Sequence, residues 1–417
     1  MNRSFTIVFL FASLFANAQT TSILFLGNSY TYTADLPGTL YNLAVNNGDT
    51  IYHESNTPAG YTFQGHSTNA TSLNKIASRD WDFVVLQEQS QIPSFSPNQV
   101  ANDCYPYAQI LVDSIRSNYE CTEPVFFMTW GRQAGDQQNC QFYPPVCTFE
   151  GMNGRLRQSY LEMGLTNEAT VAPCGAAWGH MALTNNFFWS GLYSGDGSHP
   201  SAWGTYLNAC VFYATIFRKS PVGITYYSSI GQQDAEDLQE LAEAIVLDSL
   251  SHWYVGHADV IAADEHSANQ LMVSFNSTSV NANGHFWDFG DGSTSQETNP
   301  VHTYAAADTY TVMHVASSNC DSDNSYSEVT VTGPSGIEDS NALNSVVLNR
   351  VGEGVSIDNP LGIRIQFELI DFTGRSIVSR QIEAVSTELI ELPSTSNIYL
   401  IRLTDGRNLI TRKFGWN

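Results

Sequence analysis

The sequence predicts an α/β domain built on a parallel sheet, followed by two small all-β sandwich domains, and three observations carry that expectation. Short apolar runs alternate with helical patterns from residue 21 to about residue 254, as in layered α/β folds. After His257 only strand-like alternation remains, cut by Gly, Asp and Asn turns. No Lys or Arg occurs between Ser220 and Asn349, whereas 350–413 is comparatively basic, a break that marks a boundary. A chain of 417 residues is too long for one compact core. The expected organisation is a signal peptide over 1–18, the α/β domain over 19–257, a β domain over 258–333, a linker over 334–345 and a last β domain over 346–417.

The elements follow in order. Met1-Asn2-Arg3 is a positively charged start, 5–15 is an apolar run too short to cross a bilayer, and Ala16-Asn17-Ala18 has the small-x-small pattern of signal cleavage. Residues 23–26 read as the first strand and 36–46 as the helix after it. Residues 82–86 and 125–129 are buried strand candidates with a helix over 98–118 between them, and 169–173 is a further short strand. Helices are expected over 201–218 and over 234–253, the latter with Asp and Glu in its first turn. Beyond His257, strands are expected over 271–275, 284–289, 309–316 and 326–331.

Charge and cysteine content bound the function. A formal net charge of −24 argues against nucleic acid as a partner, because phosphate binding needs clustered Lys and Arg. No segment after the leader is long and apolar enough for a membrane helix, so the product is expected to be secreted or at the cell surface, exported through the periplasm. Seven cysteines fit an oxidising destination. Cys140 and Cys147 share one loop and are the favoured pair, with Cys104–Cys121 as a second expectation. No Cys/His grouping has zinc spacing, so neither metal nor cofactor is expected.

The chemistry concentrates in two short segments. An apolar strand that stops at Gly27-Asn28-Ser29 places a serine hydroxyl at the C-terminal edge of a sheet, where open α/β sheets keep their sites. Serine needs an imidazole to take its proton and a carboxylate to orient that imidazole, and Asp196-Gly197-Ser198-His199-Pro200 offers both from one loop. Each segment alone is also a good turn sequence. The order strand-Gly-x-Ser early and Asp-x-x-His late resembles the SGNH (GDSL-type) hydrolase superfamily, with Asn28 where that family often has Asp.

The resemblance implies a flavodoxin-like three-layer domain with Ser29 as nucleophile, His199 as base and Asp196 as its orienting carboxylate. It also implies an oxyanion hole from the N–H groups of Ser29 and Gly60, the latter in Pro58-Ala59-Gly60-Tyr61-Thr62, and a third side-chain donor. For that donor the family's Gly-x-Asn-Asp becomes Gln87-Glu88-Gln89-Ser90. Column alignment points to Gln89, while Gln87, first off the strand, is favoured by its place at the sheet edge. Together with His66, Met128-Thr129-Trp130 and Gly204-x-Tyr206, these blocks look like a largely uncharacterised group of bacterial SGNH-like proteins. His66 and His180 compete with His199 for the base, although neither has a carboxylate at a fixed short spacing. Trp130 and Arg132 are candidate substrate-binding residues, with Trp178 beside them; for the tryptophans an ordinary aromatic core is the alternative.

Phe286-Trp287-Asp288-Phe289-Gly290-Asp291-Gly292, with Asn299-Pro300-Val301-His302-Thr303-Tyr304, closely resembles the PKD repeat. The last β domain, with 366–375, Ile398-Tyr399-Leu400 and the basic Arg412-Lys413, resembles the type A C-terminal sorting domain of type IX secretion substrates, with Asn397 where Gly is usual. That resemblance implies the type IX secretion machinery as a partner. The expected activity is a serine esterase acting on carbohydrate or another ester substrate, removing O-acetyl or other short acyl groups. The rivals are a lipase or lysophospholipase using the same triad, and an inactive surface glycan-binding or adhesive protein.

Overall fold

The computed structural model describes residues 20–333, 342–352, 354–371, 374–392 and 398–415. The expected signal peptide, most of the linker over 334–345, and Phe372, Thr373 and Asn397 lie outside the described residues. The chain divides into two compact units, Met1–His257 and Ala258–Asn417.

The first unit is built on five parallel strands, β1 (Thr20–Leu26), β2 (Thr50–Asn56), β3 (Phe83–Leu86), β4 (Glu123–Phe127) and β5 (Thr170–Ala172), in the order β2-β1-β3-β4-β5. A strand covered on both faces reads as a continuous apolar run, which is why Ile23-Leu24-Phe25-Leu26 does not alternate. Ile23 and Phe25 enter one core with Leu36, Leu40 and Leu43 of the helix Leu36–Asn46 and with Leu207 and Val211 of the helix Ala202–Phe217. Leu24 and Leu26 enter the other, with Leu111 and Val112 of Tyr105–Asn118 and Met152 and Leu156 of Phe149–Thr166. Truncating any one of these four β1 residues to Ala removes ~2–5 kcal/mol. After β1 the chain goes out to β2 on one side and returns to β3 on the other, so the crevice beside the end of β1 is the topological switch point of the sheet.

Three local features differ from expectation. The helix over 98–118 is two helices, Pro97–Asp103 and Tyr105–Asn118, broken at Cys104 (φ −123°, ψ −63°) because Pro106 has no N–H to continue the ladder and its ring crowds the preceding turn. The closing helix stops at Val246, and Leu247–Trp253 continues as a 3₁₀ segment with Ser249 out of helical geometry at φ −145°. Cys140 and Cys147 are bonded, but Cys104 is a buried free thiol packed 3.7 Å from Met163 Sδ, and Cys121 is disulfide-bonded without it. The Cys104–Cys121 pairing is thereby corrected: the helix between them turns the Cys104 side chain into the core.

The second unit is all β. Strands β6 (Asp264–Asn269), β7 (Met272–Ser277), β8 (Gly284–Asp288), β9 (Thr294–Ser295), β10 (Val301–Thr303), β11 (Thr309–Ser317) and β12 (Ser322–Thr330) form sheets ordered β10-β7-β6 and β12-β11-β8-β9. Trp287 and Phe289 fill the core between them with Val273, Phe275 and Tyr304, and the Trp287 indole N–H donates to Glu297 O at 2.9 Å. Strands β13 (Val347–Val351), β14 (Gly354–Asn359), β15 (Ile365–Ile370), β16 (Ser376–Ile382), β17 (Ser386–Glu391), β18 (Ile398–Thr404) and β19 (Leu409–Gly415) form sheets ordered β13-β14-β17 and β16-β15-β18-β19 around Ile357, Phe367, Leu369, Ile401 and Leu403.

Candidate active site

The turn after β1 is held from four directions. Asn28 caps the short helix Ser29–Tyr32, its Oδ1 accepting the Tyr30 N–H at 3.1 Å, while its Nδ2 donates to Tyr61 O at 2.8 Å. Gly27 admits no side chain, since a Cβ would lie 2.6 Å from Thr31 Oγ1 and 2.7 Å from Gln87 Oε1. His66 Nε2 meets Gly27 O at 2.9 Å and its Nδ1 meets Ser72 Oγ at 2.7 Å. A carbonyl only accepts, so Nε2 carries the proton and Nδ1 accepts from Ser72. Burial lowers the His66 pKa, which keeps the ring neutral. With both nitrogens engaged, His66 has no lone pair left for a nucleophile. His180 lies exposed on the helix Cys174–Thr184.

His199 is the histidine that reaches Ser29. Its Nε2 lies 2.8 Å from Ser29 Oγ and its Nδ1 2.5 Å from Asp196 Oδ2. Asp196 Oδ1 accepts from Ser194 Oγ at 2.8 Å, Ser198 N at 2.9 Å and His199 N at 3.0 Å. Burial would raise the Asp196 carboxyl, but the hydrogen bonds from the His199 ring, the Ser198 N–H, the Ser194 hydroxyl and the His199 N–H outweigh it and hold the group well below the usual carboxylate range. A carboxylate facing Nδ1 requires the proton there, which leaves the Nε2 lone pair for the Ser29 hydroxyl.

The loop carrying Asp196 and His199 is anchored to the strand ends. Gly197 takes φ +65° and its carbonyl accepts from Gln133 N at 2.9 Å; Ser198 O accepts the Trp130 indole N–H at 3.1 Å, and Ser198 Oγ lies 2.6 Å from the Tyr30 hydroxyl. Trp130 is stacked between Trp178 (4.0 Å, 6°) and Tyr30 (4.9 Å, 11°). Both tryptophans are fully buried, so the expectation that Trp130 binds substrate is corrected: it supports the loop from below and touches no cleft. Arg132 is partly exposed beside the Tyr30 hydroxyl, with Nη1 3.7 Å from the buried Asp136.

The two glutamines separate. Gln87 is fully buried, its Oε1 accepting from Asn28 N at 2.8 Å and Thr31 Oγ1 at 3.0 Å and its Nε2 donating to Glu88 O at 2.5 Å. Reversing the amide would set donor against donor at Asn28 and acceptor against acceptor at Glu88, so this orientation is fixed. The expectation that Gln87 donates to an oxyanion is therefore corrected: its side chain is fully buried and its amide NH2 faces the Glu88 carbonyl beneath the turn. Gln89 is partly exposed, and its Nε2 donates to Gln91 Oε1 at 3.0 Å. Gly60 is exposed at φ +67° in the loop that the Asn28–Tyr61 bond draws to the turn carrying Ser29. Among the described residues neither the Ser29 nor the Gly60 N–H has a hydrogen-bond acceptor. The bracing by Gln87, His66 and Tyr30 was not anticipated; the signal for it is a run of hydrogen-bonding side chains immediately beside a strand end. Among the described residues no group of three or more His, Cys, Asp or Glu could hold a metal ion, and no helix is long and apolar enough to cross a membrane.

Residues 257–333 match the PKD domain family. The chain is similar to a DUF4886 family protein from Bacteroides uniformis, at 17% identity over 55% of this chain and 95% of that one, with a TM-score of 0.47. It is similar to a candidate SGNH hydrolase from Slackia heliotrinireducens, at 25% identity over 48% of this chain and all of that one, with a TM-score of 0.39. It is also similar to the PKD1 domain of the Vibrio cholerae metalloprotease PrtV, at 30% identity over 18% of this chain and 98% of that one, with a TM-score of 0.17. No curated protein matches the chain.

Proposed function

We propose that the chain is an exported serine esterase of SGNH type, and the observation that carries this reading is the unbroken line Ser29 Oγ–His199 Nε2 at 2.8 Å and His199 Nδ1–Asp196 Oδ2 at 2.5 Å. Ser29 Oγ attacks the ester carbonyl and its proton passes to His199 Nε2. The tetrahedral oxyanion is held by the N–H groups of Ser29 and Gly60, with Gln89 as the remaining side-chain donor once it releases Gln91. His199 then protonates the leaving alcohol, the acyl group stays on Ser29, and a water activated by the same imidazole releases it. Asp196 keeps the imidazole in the required tautomer and steadies its charge.

A short-acyl substrate borne on carbohydrate is the favoured class, supported by association with the PKD match over 257–333 and by the partly exposed Arg132 cation next to Tyr30. The polar residues around Ser29 do not by themselves weigh against a lipase, because Asn28, Tyr30 and Thr31 are buried and only Tyr32 of that group is exposed. The leader over 1–18 would start export, and the β13–β19 sandwich would be the type IX sorting domain. Hydrolysis of p-nitrophenyl acetate by the purified full-length protein, beside Ser29→Ala and His199→Ala controls, tests the reading. Each substitution is expected to remove activity by several orders of magnitude with little change in melting temperature. Wild-type turnover in either variant would overturn the triad.

A further inference from the structure

Glu88 has no part in the triad, yet its side chain is completely buried at the end of β3. Its Oε2 accepts the Phe63 N–H at 2.9 Å and its Oε1 accepts the Gln89 N–H at 2.5 Å. Burial pushes this carboxyl up to about 8 against the pull of those two N–H groups, so it is largely neutral at neutral pH. An apolar residue would avoid that burial cost, which directs attention to what the two acceptor oxygens hold.

Phe63 opens the short helix Phe63–Thr68, three residues after Gly60. The same helix sends His66 back to Gly27 O, and Gln87, whose amide donates to Glu88 O, holds Asn28 N and Thr31 Oγ1. Residues 87 and 88 therefore fasten two separate segments to one strand end: the nucleophile turn through Gln87, and the Gly60 loop through Glu88. These are the segments that carry the Ser29 and Gly60 N–H groups, neither of which has an acceptor among the described residues.

We propose that Glu88 is a positioning residue that sets the Gly60 N–H relative to the Ser29 N–H, acting on the oxyanion through the loop without touching substrate. The proposal deepens the esterase reading and rests on it. An oxyanion donor contributes on the order of 10²–10³ in kcat only when it is aimed before reaction, so loosening its loop should sacrifice part of that factor and leave ground-state binding nearly intact.

The test uses the full-length protein with Glu88→Leu, which removes both acceptors, and Glu88→Gln, which keeps one carbonyl oxygen for Phe63. Kinetics on p-nitrophenyl acetate are measured well below the unfolding temperature, beside hydrogen exchange over 58–66. The Leu variant is expected to lose roughly ten- to a hundredfold in kcat with KM within about twofold, and to exchange faster over 58–66; the Gln variant recovers most of both. Unchanged exchange over 58–66 in the Leu variant would overturn the proposal, as would an unchanged kcat beside a lowered melting temperature. Failure of the wild type to hydrolyse the ester sinks the esterase reading instead, and the exchange measurement still decides whether Glu88 fixes the loop.

Discussion

Asp196 accepts three hydrogen bonds from its own loop on Oδ1 and presents Oδ2 to His199, so the carboxylate is fixed before the imidazole needs it. Asp196→Asn would set an amide donor against Nδ1 or drive the ring to the other tautomer, and in triads of this kind that change costs on the order of 10⁴ in kcat. A loss of less than about tenfold on p-nitrophenyl acetate would mean that the carboxylate does not set the tautomer. The glutamines give a sharper contrast. Gln87→Leu leaves the Asn28 N–H and the Thr31 hydroxyl without their acceptor, a penalty of about 1–3 kcal/mol for each buried group, so both melting temperature and kcat should fall. Gln89→Ala removes a partly exposed side chain and should lower kcat by up to roughly a hundredfold with the melting temperature nearly unchanged. Equal thermal shifts in the two variants would erase the distinction. Ser29, Asp196 and His199 stand out in the sequence because each carries one chemistry and sits in a short motif. Gln87 does not, because an amide is donor and acceptor at once, and only the fold decides which end meets the turn after β1.

The helix Phe63–Thr68 is tied to the ends of β1 and β3 through its own first turn and its histidine. Its first N–H is held by Glu88, and its His66 is held between Ser72 and Gly27 O. Because burial depresses the His66 pKa, the folded protein keeps the ring neutral where the unfolded chain takes up a proton, below about pH 6.5. The stability tied to this group is fully present above that pH and is lost as the pH falls through the folded value. His66→Gln, which can still donate to Gly27 O but cannot titrate, should be less stable than wild type near neutrality, and the gap in melting temperature should narrow between about pH 7.5 and about pH 5. A gap independent of pH would show that His66 does not contribute to acid lability. Elements differed in legibility for comparable reasons. β1 and β3 are plain because their doubly covered stretches 23–26 and 83–86 are continuous apolar runs, whereas β2 is an edge strand paired with β1 alone and its Thr50–Asn56 sequence is mostly polar. The helix Phe149–Thr166 was missed because Gly151, Gly154 and Gly164 dilute it, although Met152, Leu156, Tyr160 and Met163 carry helical spacing.

At the scale of the whole molecule, the cores are closed within separate stretches of chain. Among the described residues, the two cores flanking the parallel sheet draw only on residues up to Val255, the PKD-matching sandwich on Val273 to Val331, and the last sandwich on Leu343 to Ile410. The change from α/β to all-β was readable because the hydrophobic period changes with it, and the break in Lys and Arg content falls in the same half of the chain. No described residue of the last sandwich belongs to either core flanking the parallel sheet, so on the esterase reading its loss should leave hydrolysis intact. On the sorting-domain reading, that same loss should prevent release. A host strain producing the chain without residues 342–417 is therefore expected to keep p-nitrophenyl acetate hydrolysis in the cell fraction while the medium loses it, against a wild-type strain in which the medium carries most of the activity. The two halves of the outcome test different claims. Activity in the medium from the shortened chain would remove the sorting role from the β13–β19 sandwich, whereas loss of hydrolysis from cells and medium alike, with the shortened chain present at normal levels, would show that this sandwich supports the α/β unit.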